Sequence, residues 1–340
     1  MSRTHITIIT GKGGVGKSGM AASSAIASAD MGHKTLLVSA DMAHNIGDLF
    51  GTKVGGRITD LGMSAEAFPS ENLLFGLELD PDDIMKEDYP AFNHSITALL
   101  SASDRAGGSM VFDETVFPGL EPLFCLLRIA SIYESGEYDE IIVDCAPTGE
   151  TLSLLKLPEL LSWYMERFFP VGKTMVRVLK PISGLRYGVE LPDAEGMDDI
   201  SRIHRKLVRL QDILTNPGIT ELKLVTIPEK MAVEETKRAY LYLGLYGYHV
   251  RTLFINRVLP EETDSAFFYT WKQKQQKYIK ELEAVFRDTD IRKIRWYSEE
   301  LRGINRLRNV LRKTGDNSEQ IGCSYHFEKT ETGYCLILPL

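Results

Sequence analysis

The chain has 340 residues, of which 44% are hydrophobic and 25% charged, a composition typical of a globular protein with a substantial core. Its 39 basic and 47 acidic residues give a net charge of −8, so no global positive field favours nucleic acid or an anionic membrane. The four cysteines form no CxxC pair, and no segment resembles a signal peptide or a membrane span. We therefore expect a cytoplasmic protein with reduced cysteines, no stable membrane insertion and no nucleic-acid partner.

Short strand patterns alternate with helical patterns along most of the chain. Apolar residues recur at helical spacing, for example at Ile203, Leu207 and Leu210. Seven mostly apolar runs predict buried strands, at 5–10, 34–40, 73–79, 139–144, 222–227, 251–256 and 291–296. This alternation predicts an α/β fold with a doubly wound, mainly parallel sheet flanked by helices.

Two stretches depart from the alternation. Residues 180–199 are rich in proline, glycine and acidic residues, which predicts a loop between two helical stretches. Near the C-terminus, glycine-bounded residues 315–322 precede two short predicted strands at 323–328 and 334–338, which form a β-hairpin. We expect one large domain over 1–314, with a helical subregion at about 80–135 and 152–215, and a C-terminal β appendage over 315–340.

A glycine-rich segment directly follows the first predicted strand and precedes a helix of small residues. It satisfies the pattern GxxxxGK[ST] in the structural context that this phosphate-binding loop requires. Its residues are Gly11, Lys12, Gly13, Gly14, Val15, Gly16, Lys17 and Ser18. Glycines let successive N–H groups point at a phosphate, and the helix N-terminus adds its positive dipole. We expect Lys17 to reach the β- and γ-phosphates of ATP and the Ser18 hydroxyl to ligate Mg²⁺.

Two aspartates stand at the carboxyl ends of predicted strands, where ligands bind in doubly wound sheets. Asp41 follows the second strand, and an acid there can hold the attacking water. Asp144 closes an apolar run, as a Walker B carboxylate near magnesium does. Lys12 is a second lysine in the loop, and we expect it to neutralise charge on a partner subunit's nucleotide.

The loop sequence GKGGVGKS resembles the deviant Walker A motif of the SIMIBI P-loop ATPases, which include ParA, MinD and the ArsA/Get family. Over roughly residues 4–312 the resemblance becomes specific to the ArsA/Get branch, the anion-transporting and tail-anchored-protein-targeting ATPases. The segments that carry it are 41–45, 144–151, 154–158, 227–229, 254–256 and 300–303. The resemblance implies a nucleotide-sandwich homodimer.

The same resemblance assigns roles to individual residues. Asp41 would position or polarise the water, and Asp144 would hold Mg²⁺ through water. Asn256 would read the adenine, and Glu229 would lie near the nucleotide at the dimer interface. The sequence departs from the family's pattern at two positions, with Met42 in place of a proline and Glu150 in place of a histidine; either change can alter turnover without abolishing binding.

The client and the dimer contacts differ among members of this family. No CxxC follows Asn256, so the intersubunit zinc clamp of the eukaryotic targeting factors has no ligands and we expect no zinc. Residues 152–181 are rich in aromatic and methionine side chains, which suit either helix faces packed on the sheet or a groove for a hydrophobic client such as a transmembrane segment. The C-terminal strands resemble the opening of a small heat-shock, α-crystallin-like domain, which predicts a truncated or degenerate copy of it.

Several functions are compatible with these residues. The first is Mg²⁺-dependent ATP hydrolysis at a homodimer interface, driving open and closed states of an ArsA/Get-like factor for hydrophobic clients. A ParA/MinD-like positioning ATPase is one alternative, and a nucleotide-binding scaffold without useful turnover is another. An arsenite-pump-type ATPase subunit is disfavoured, because neither Cys125 nor Cys145 matches the thiols that a metalloid site requires.

Overall fold

The computed structural model describes residues 4–41, 46–62, 73–88, 121–149, 151–152, 155–156, 194–260, 266–312, 326–330 and 333–337. The chain divides into two compact units. The first comprises residues 1–79, 132–152 and 214–340, and the second comprises 80–131 and 153–213. Met42, Glu150 and nearly all of the candidate client region at 152–181 lie outside the described residues.

Eight strands form one sheet in the first unit. Their spatial order is β3-β4-β2-β5-β1-β6-β7-β8, and all neighbours are parallel except β3 and β4. The strands are β1 His5–Gly11, β2 Thr35–Ser39, β3 Thr59–Asp60, β4 Leu74–Glu78, β5 Glu140–Asp144, β6 Thr220–Thr226, β7 Val250–Val258 and β8 Asp290–Arg295. All seven predicted strands are confirmed, with ends shifted by about two residues or fewer. The sequence does not predict β3, because two residues carry no periodic pattern.

The register brings three strand ends together. Asp144 pairs with Ile9 on one side and with Ser39 on the other. The last residues of β1, β2 and β5 therefore lie side by side, at an edge of the sheet that we call the carboxyl edge. The opposite edge, where the parallel strands begin, we call the amino edge.

Helices of the first unit cover both faces of this sheet. Ile26 and Leu307 lie in one hydrophobic cluster with Val225 and Phe254, so the first and last helices share a face. Side chains alternate across a strand, so the equally buried Leu224 points to the other face. The helices are α1 Lys17–Asp30, α2 Ile46–Phe50, α3 Pro81–Asp88, α4 Glu121–Ser135, α5 Ala194–Thr215, α6 Lys230–Leu245, α7 Ala266–Val285 and α8 Ile304–Arg312. Helix α6 packs against β6, β7 and α7.

One predicted loop is partly helical. The loop expected over 180–199 is wrong over 194–199, which form the first turns of α5. The single glycine at 196 lies inside the helix and does not end it. Further along the helix, Leu207 and Leu210 are buried, as their helical spacing predicts.

The C-terminal hairpin is confirmed as an antiparallel pair of β9 His326–Thr330 with β10 Gly333–Ile337. Residues 323–325, the predicted beginning of the first strand, lie outside the described part of the chain. The boundary between a domain over 1–314 and an appendage over 315–340 stays a prediction. None of the helices that the structure describes is long and apolar enough to cross a membrane.

Candidate phosphate-binding site

The phosphate loop connects the last residue of β1 to the first residue of α1. A Cβ atom at Gly11 would collide with the carbonyl oxygen of Val225 on β6. Gly16 has a φ of 98°, and a Cβ there would lie 2.5 Å from Nδ2 of Asn256. Gly11 is needed for its small size, and Gly16 for its small size and its left-handed backbone conformation. The loop can therefore pass close to β6 and β7 and turn directly into α1.

Asn256 braces the loop from β7. Its side chain is 7% exposed, and its amide nitrogen donates a hydrogen bond to the carbonyl oxygen of Val15 at 2.8 Å. Its Oδ1 accepts the backbone N–H of Arg257 at 2.9 Å. The sequence does not predict this bracing contact, since it joins residues from distant parts of the chain. The predicted contact of Asn256 with adenine stays a prediction.

Asp144 lies beneath the loop as a buried acid. It is 1% exposed, and neither of its carboxylate oxygens has a hydrogen-bond partner among the described residues. Burial raises the pKa of Asp144 to about 6, although the nearby Ser18 hydroxyl and Lys17 ammonium act to lower it. The neighbouring charge of Asp41 raises the pKa further. A buried carboxylate without partners is costly, so this position favours an added cation.

The residues around Asp144 fit a magnesium ion. Mg²⁺ is usually held through one or two protein oxygens, several waters and the substrate's phosphates. Ser18 at the start of α1 and the unpartnered Asp144 carboxylate supply such oxygens. A cage of three or more His, Cys, Asp or Glu side chains is not found within the described ranges, and this mode of binding does not need one.

Asp41 comes two residues after the end of β2. Its backbone N–H donates to Oγ of Ser39 at 3.4 Å, and that hydroxyl donates to the carbonyl oxygen of Asp41 at 3.2 Å. These bonds turn the chain sharply at the carboxyl edge. The backbone N–H of Ala40 donates to the carbonyl oxygen of Asp144 at 2.9 Å, so Asp41 follows directly at the end of β5. The structure therefore brings Lys17, Ser18, Asp41 and Asp144 to the carboxyl edge, and their roles stay predictions.

The segment after Asp144 packs against the end of β1. The backbone N–H of Cys145 donates to the carbonyl oxygen of Ile9 at 3.0 Å. The Thr10 hydroxyl donates to that of Thr151 at 3.1 Å, and Thr151 donates to the carbonyl oxygen of Ala146 at 2.6 Å. These hydrogen bonds join the segment to the strand that carries the phosphate loop.

Lys12 forms an ion pair with a residue that lies outside every sequence motif described above. Its Nζ lies 3.9 Å from Oε2 of Glu235, on α6. The other oxygen of Glu235 accepts a short hydrogen bond from the Thr148 hydroxyl. Glu235 thus connects the loop with the segment after Asp144. Sequence reasoning misses it because both partners are distant in the chain.

Glu229, the predicted interface residue, is exposed immediately before α6. Its side chain makes no capping hydrogen bond to that helix. Within the described residues, the helix contacts the loop through Glu235 and not through Glu229. A position facing a partner subunit stays a prediction for Glu229.

Comparison with known proteins gives consistent results. Residues 4–314 match the sequence model of a family described as anion-transporting ATPase. A protein of Prosthecochloris vibrioformis named as an arsenical pump-driving ATPase is 36% identical over 306 residues, which are 89% of this chain and 73% of the relative. The ATPase GET3 of Kluyveromyces lactis is 30% identical over 349 residues, covering 97% of this chain and 96% of the relative. The ATPase GET3B of Arabidopsis thaliana is 29% identical over 299 residues, with 84% and 71% covered.

Proposed function

This chain is an ATPase that belongs to the anion-transporting ATPase family, and we propose that it hydrolyses Mg²⁺-bound ATP between two copies of itself. One observation carries the proposal. The buried carboxylate of Asp144 has no hydrogen-bond partner among the described residues and lies beside Lys17 and Ser18, at the end of the phosphate loop. The buried carboxylate favours a cation, and the phosphate loop with Lys17 favours an anion. Mg²⁺ and a nucleoside triphosphate supply both.

Each residue of the site then has a chemical role. The loop N–H groups and the N-terminus of α1 bind phosphate oxygens, and Lys17 neutralises their charge. Ser18 would hold Mg²⁺ directly and Asp144 would hold it through water, and the bound metal would neutralise charge that develops on the phosphates. Asp41 would orient the attacking water and accept its proton.

The proposed dimer assigns Lys12 to the partner subunit's nucleotide. In the single chain, Lys12 is held by Glu235 at 3.9 Å, and both side chains are about one-third exposed. Such a pair contributes at most about 1 kcal/mol, so a nucleotide phosphate can compete for Lys12. Because Glu235 also binds Thr148, the loss of Lys12 would be sensed by the segment that follows Asp144. This linkage offers a route between dimer closure and the hydrolytic site.

We extend the proposal to a hydrophobic client, such as a transmembrane segment. It is supported by the similarity to ATPase GET3 and by the aromatic and methionine content of residues 152–181. Arsenite activation is less well supported, although one relative's name refers to an arsenical pump. Burial raises the pKa of the Cys125 thiol to about 12, and Cys145 is 1% exposed, so neither offers an accessible thiolate.

Sizing with a non-hydrolysable ATP analogue and Mg²⁺ tests the dimer. We expect the wild-type chain to dimerise, Lys12→Ala to weaken the dimer about tenfold or more, and Glu235→Gln, which releases Lys12, to leave it intact or stronger. Lys53→Ala removes an exposed lysine elsewhere and serves as the matched control. A wild-type chain that stays monomeric with the analogue would rule out the sandwich arrangement.

Crosslinking tests the client. An apolar helical peptide should crosslink to the wild-type chain in a nucleotide-dependent manner, and Lys17→Ala should abolish that dependence. Lipid vesicles and duplex DNA serve as the comparison arms. Stimulation of hydrolysis by either of these, without peptide crosslinking, would instead favour a positioning switch.

A further inference from the structure

A cleft of about 840 Å³ opens in the first unit at the amino edge of the sheet. The beginnings of β1, β5, β6, β7 and β8 form its base, and the C-terminal halves of α1 and α8 form its walls. Since β1 has seven residues, this base lies roughly 20 Å from the phosphate loop. The cleft has the size of a small-molecule site, and the proposed ATPase activity does not use it.

On the sheet face that packs against α1, the side chains are apolar toward the carboxyl edge and mostly polar toward the amino edge, where the cleft lies. On β6, Val225 lies in the hydrophobic cluster beneath α1, whereas Glu221 and Lys223 on the same face line the cleft. On β7, Thr252 and Phe254 both line the cleft, and Phe254 also joins the cluster. The cleft therefore begins where the apolar cluster beneath the helices gives way to polar side chains.

A first cationic cluster is centred on Glu221. Its carboxylate contacts Nζ of Lys223 at 2.8 Å and Nε of Arg251 at 3.3 Å. Burial alone would raise the pKa of Glu221, but Lys223, His5 and Arg251 outweigh it and hold the pKa below its usual value. One ionised carboxylate facing Lys223 and Arg251 gives this three-residue cluster a net charge of about +1.

A second cationic cluster is centred on Asp30, at the end of α1. Its carboxylate contacts Nε of Arg308 at 2.9 Å and Nη2 of Arg312 at 3.2 Å. Across the described lining, five arginine or lysine side chains face three carboxylates. One of the five, Arg292, is paired with Asp290 just outside the lining. The cleft is therefore positive although the chain as a whole carries a charge of −8.

A buried hydroxyl adds a neutral donor to the same wall. Ser24 lines the cleft from α1 and is 7% exposed. Its Oγ has no hydrogen-bond partner among the described residues. Buried hydroxyls are normally hydrogen-bonded, so an unsatisfied one in the wall of a cleft indicates a missing partner.

We propose that this cleft binds a small dianion, either a phosphate monoester or a dicarboxylate, between the Glu221 and Asp30 clusters. Each cluster carries about one positive charge and can face one anionic group of the ligand, while Glu140, the third carboxylate of the lining, lies on β5 beside His5 and Thr7. Guanidinium groups bind phosphate and carboxylate oxygens in a bidentate manner, and Arg251 and Arg312 are 59% and 65% exposed, so both can reach a ligand. The volume leaves room for the organic part of the molecule.

Calorimetry with glycerol 3-phosphate and with succinate, at constant ionic strength, tests the site. The full-length chain carries Lys17→Ala throughout, which weakens anion binding at the phosphate loop. Arg251→Gln leaves Glu221 with Lys223, and Arg312→Gln leaves Asp30 with Arg308, so neither substitution strands a buried acid. We expect one saturable site, weakened about tenfold by each substitution. Arg302→Gln removes an exposed arginine outside the cleft and should have no effect.

The outcomes separate this proposal from the proposed ATPase mechanism. Binding of either probe that is lost in the Arg251→Gln/Arg312→Gln chain supports the cleft, and the probe that binds more tightly identifies the class of dianion. Absence of saturable binding, or binding that the double substitution leaves unchanged, overturns it. ATP binding is measured in parallel with Lys17 intact, and the double substitution should not alter it. If the double substitution abolishes binding of the dianion but not of ATP, the result supports the cleft and leaves the proposed ATPase mechanism unaffected.

Discussion

The two edges of the sheet shift the pKa of an acidic side chain in opposite directions. At the carboxyl edge, Asp144 is 1% exposed and has no hydrogen-bond partner within the described structure. At the amino edge, Glu221 contacts two cations. The first acid has its pKa raised and the second has its pKa lowered, although burial acts to raise both. The carboxyl edge therefore favours binding of a cation, whereas the amino edge has more cationic side chains than carboxylates.

This contrast also gives opposite dependences of stability on pH. Native Asp144 keeps its proton to a higher pH than the unfolded chain does, so the free energy of unfolding falls as pH rises from about 4 to about 6. Native Glu221 loses its proton more readily than the unfolded chain does. Its contribution is therefore present at neutral pH and is lost as pH falls through its lowered pKa, below 4.5.

Lys17→Ala should disrupt the carboxyl edge most. Lys17 is 7% exposed at the start of α1, and its ammonium is the site's main fixed positive charge. We expect ATP hydrolysis to fall by about 100-fold or more, with nucleotide binding weakened as well. Steady-state phosphate release and binding of a fluorescent ATP analogue measure the two effects. Lys53→Ala is the control, and wild-type activity in Lys17→Ala would refute the assignment of the site.

Asp41→Asn separates hydrolysis from binding at the same edge. The amide keeps the size of the side chain but cannot accept the proton of the attacking water. We expect the rate of hydrolysis to fall about 100-fold while ATP affinity changes little. Single-turnover hydrolysis and equilibrium binding, measured on the same sample, report the two quantities. Equal losses of both would instead assign Asp41 to nucleotide binding.

Asp144→Asn tests whether the buried acid is costly without a ligand. With nucleotide and metal absent, we expect the variant to be more stable than the wild type by about 3 kcal/mol at pH 7.5, since a neutral amide removes the penalty of ionisation. The gain should shrink as pH falls through about 6, the pKa of Asp144. Urea unfolding across pH 4.5 to 8 measures it. The exposed Asp288→Asn should show no such gain, and a less stable Asp144→Asn would show that Asp144 has a partner.

Glu221→Gln should have the smallest effect. Its two cationic partners can turn toward solvent, so we expect a loss of only about 1 kcal/mol at pH 7. The loss should shrink as the pH falls below 4.5 and through the lowered pKa of Glu221, where the carboxyl group becomes protonated. Urea unfolding at pH 7 and at a series of acidic pH values measures it. Glu300→Gln, in an exposed pair with Arg302, should be neutral, and a pH-independent loss would mean that packing, not charge, explains the effect.

Much of the carboxyl edge could be predicted because its signals are local. Glycines at fixed spacing after a strand specify the loop, and an acid that ends an apolar run specifies the strand end at Asp144. The prediction of a loop over 180–199 is wrong in its last six residues, which are helical. Glycine and proline content indicates that a helix is interrupted but does not indicate where the next helix begins. The sequence does not predict the brace from Asn256 to Val15, because the two residues are 241 positions apart and no local pattern links them.

The sequence by itself determined the α/β class, the seven main strands and the residues of the phosphate loop, because periodicity and glycine spacing act between neighbours in the chain. Only the tertiary structure decided three features: Lys12 meets Glu235, Asp144 is buried with no hydrogen-bond partner among the described residues, and the amino edge gathers the Glu221 and Asp30 clusters around a cleft. Those features depend on which distant residues the sheet order and register bring together. Charge pairing and burial are properties of that assembly, so no stretch of sequence carries them alone.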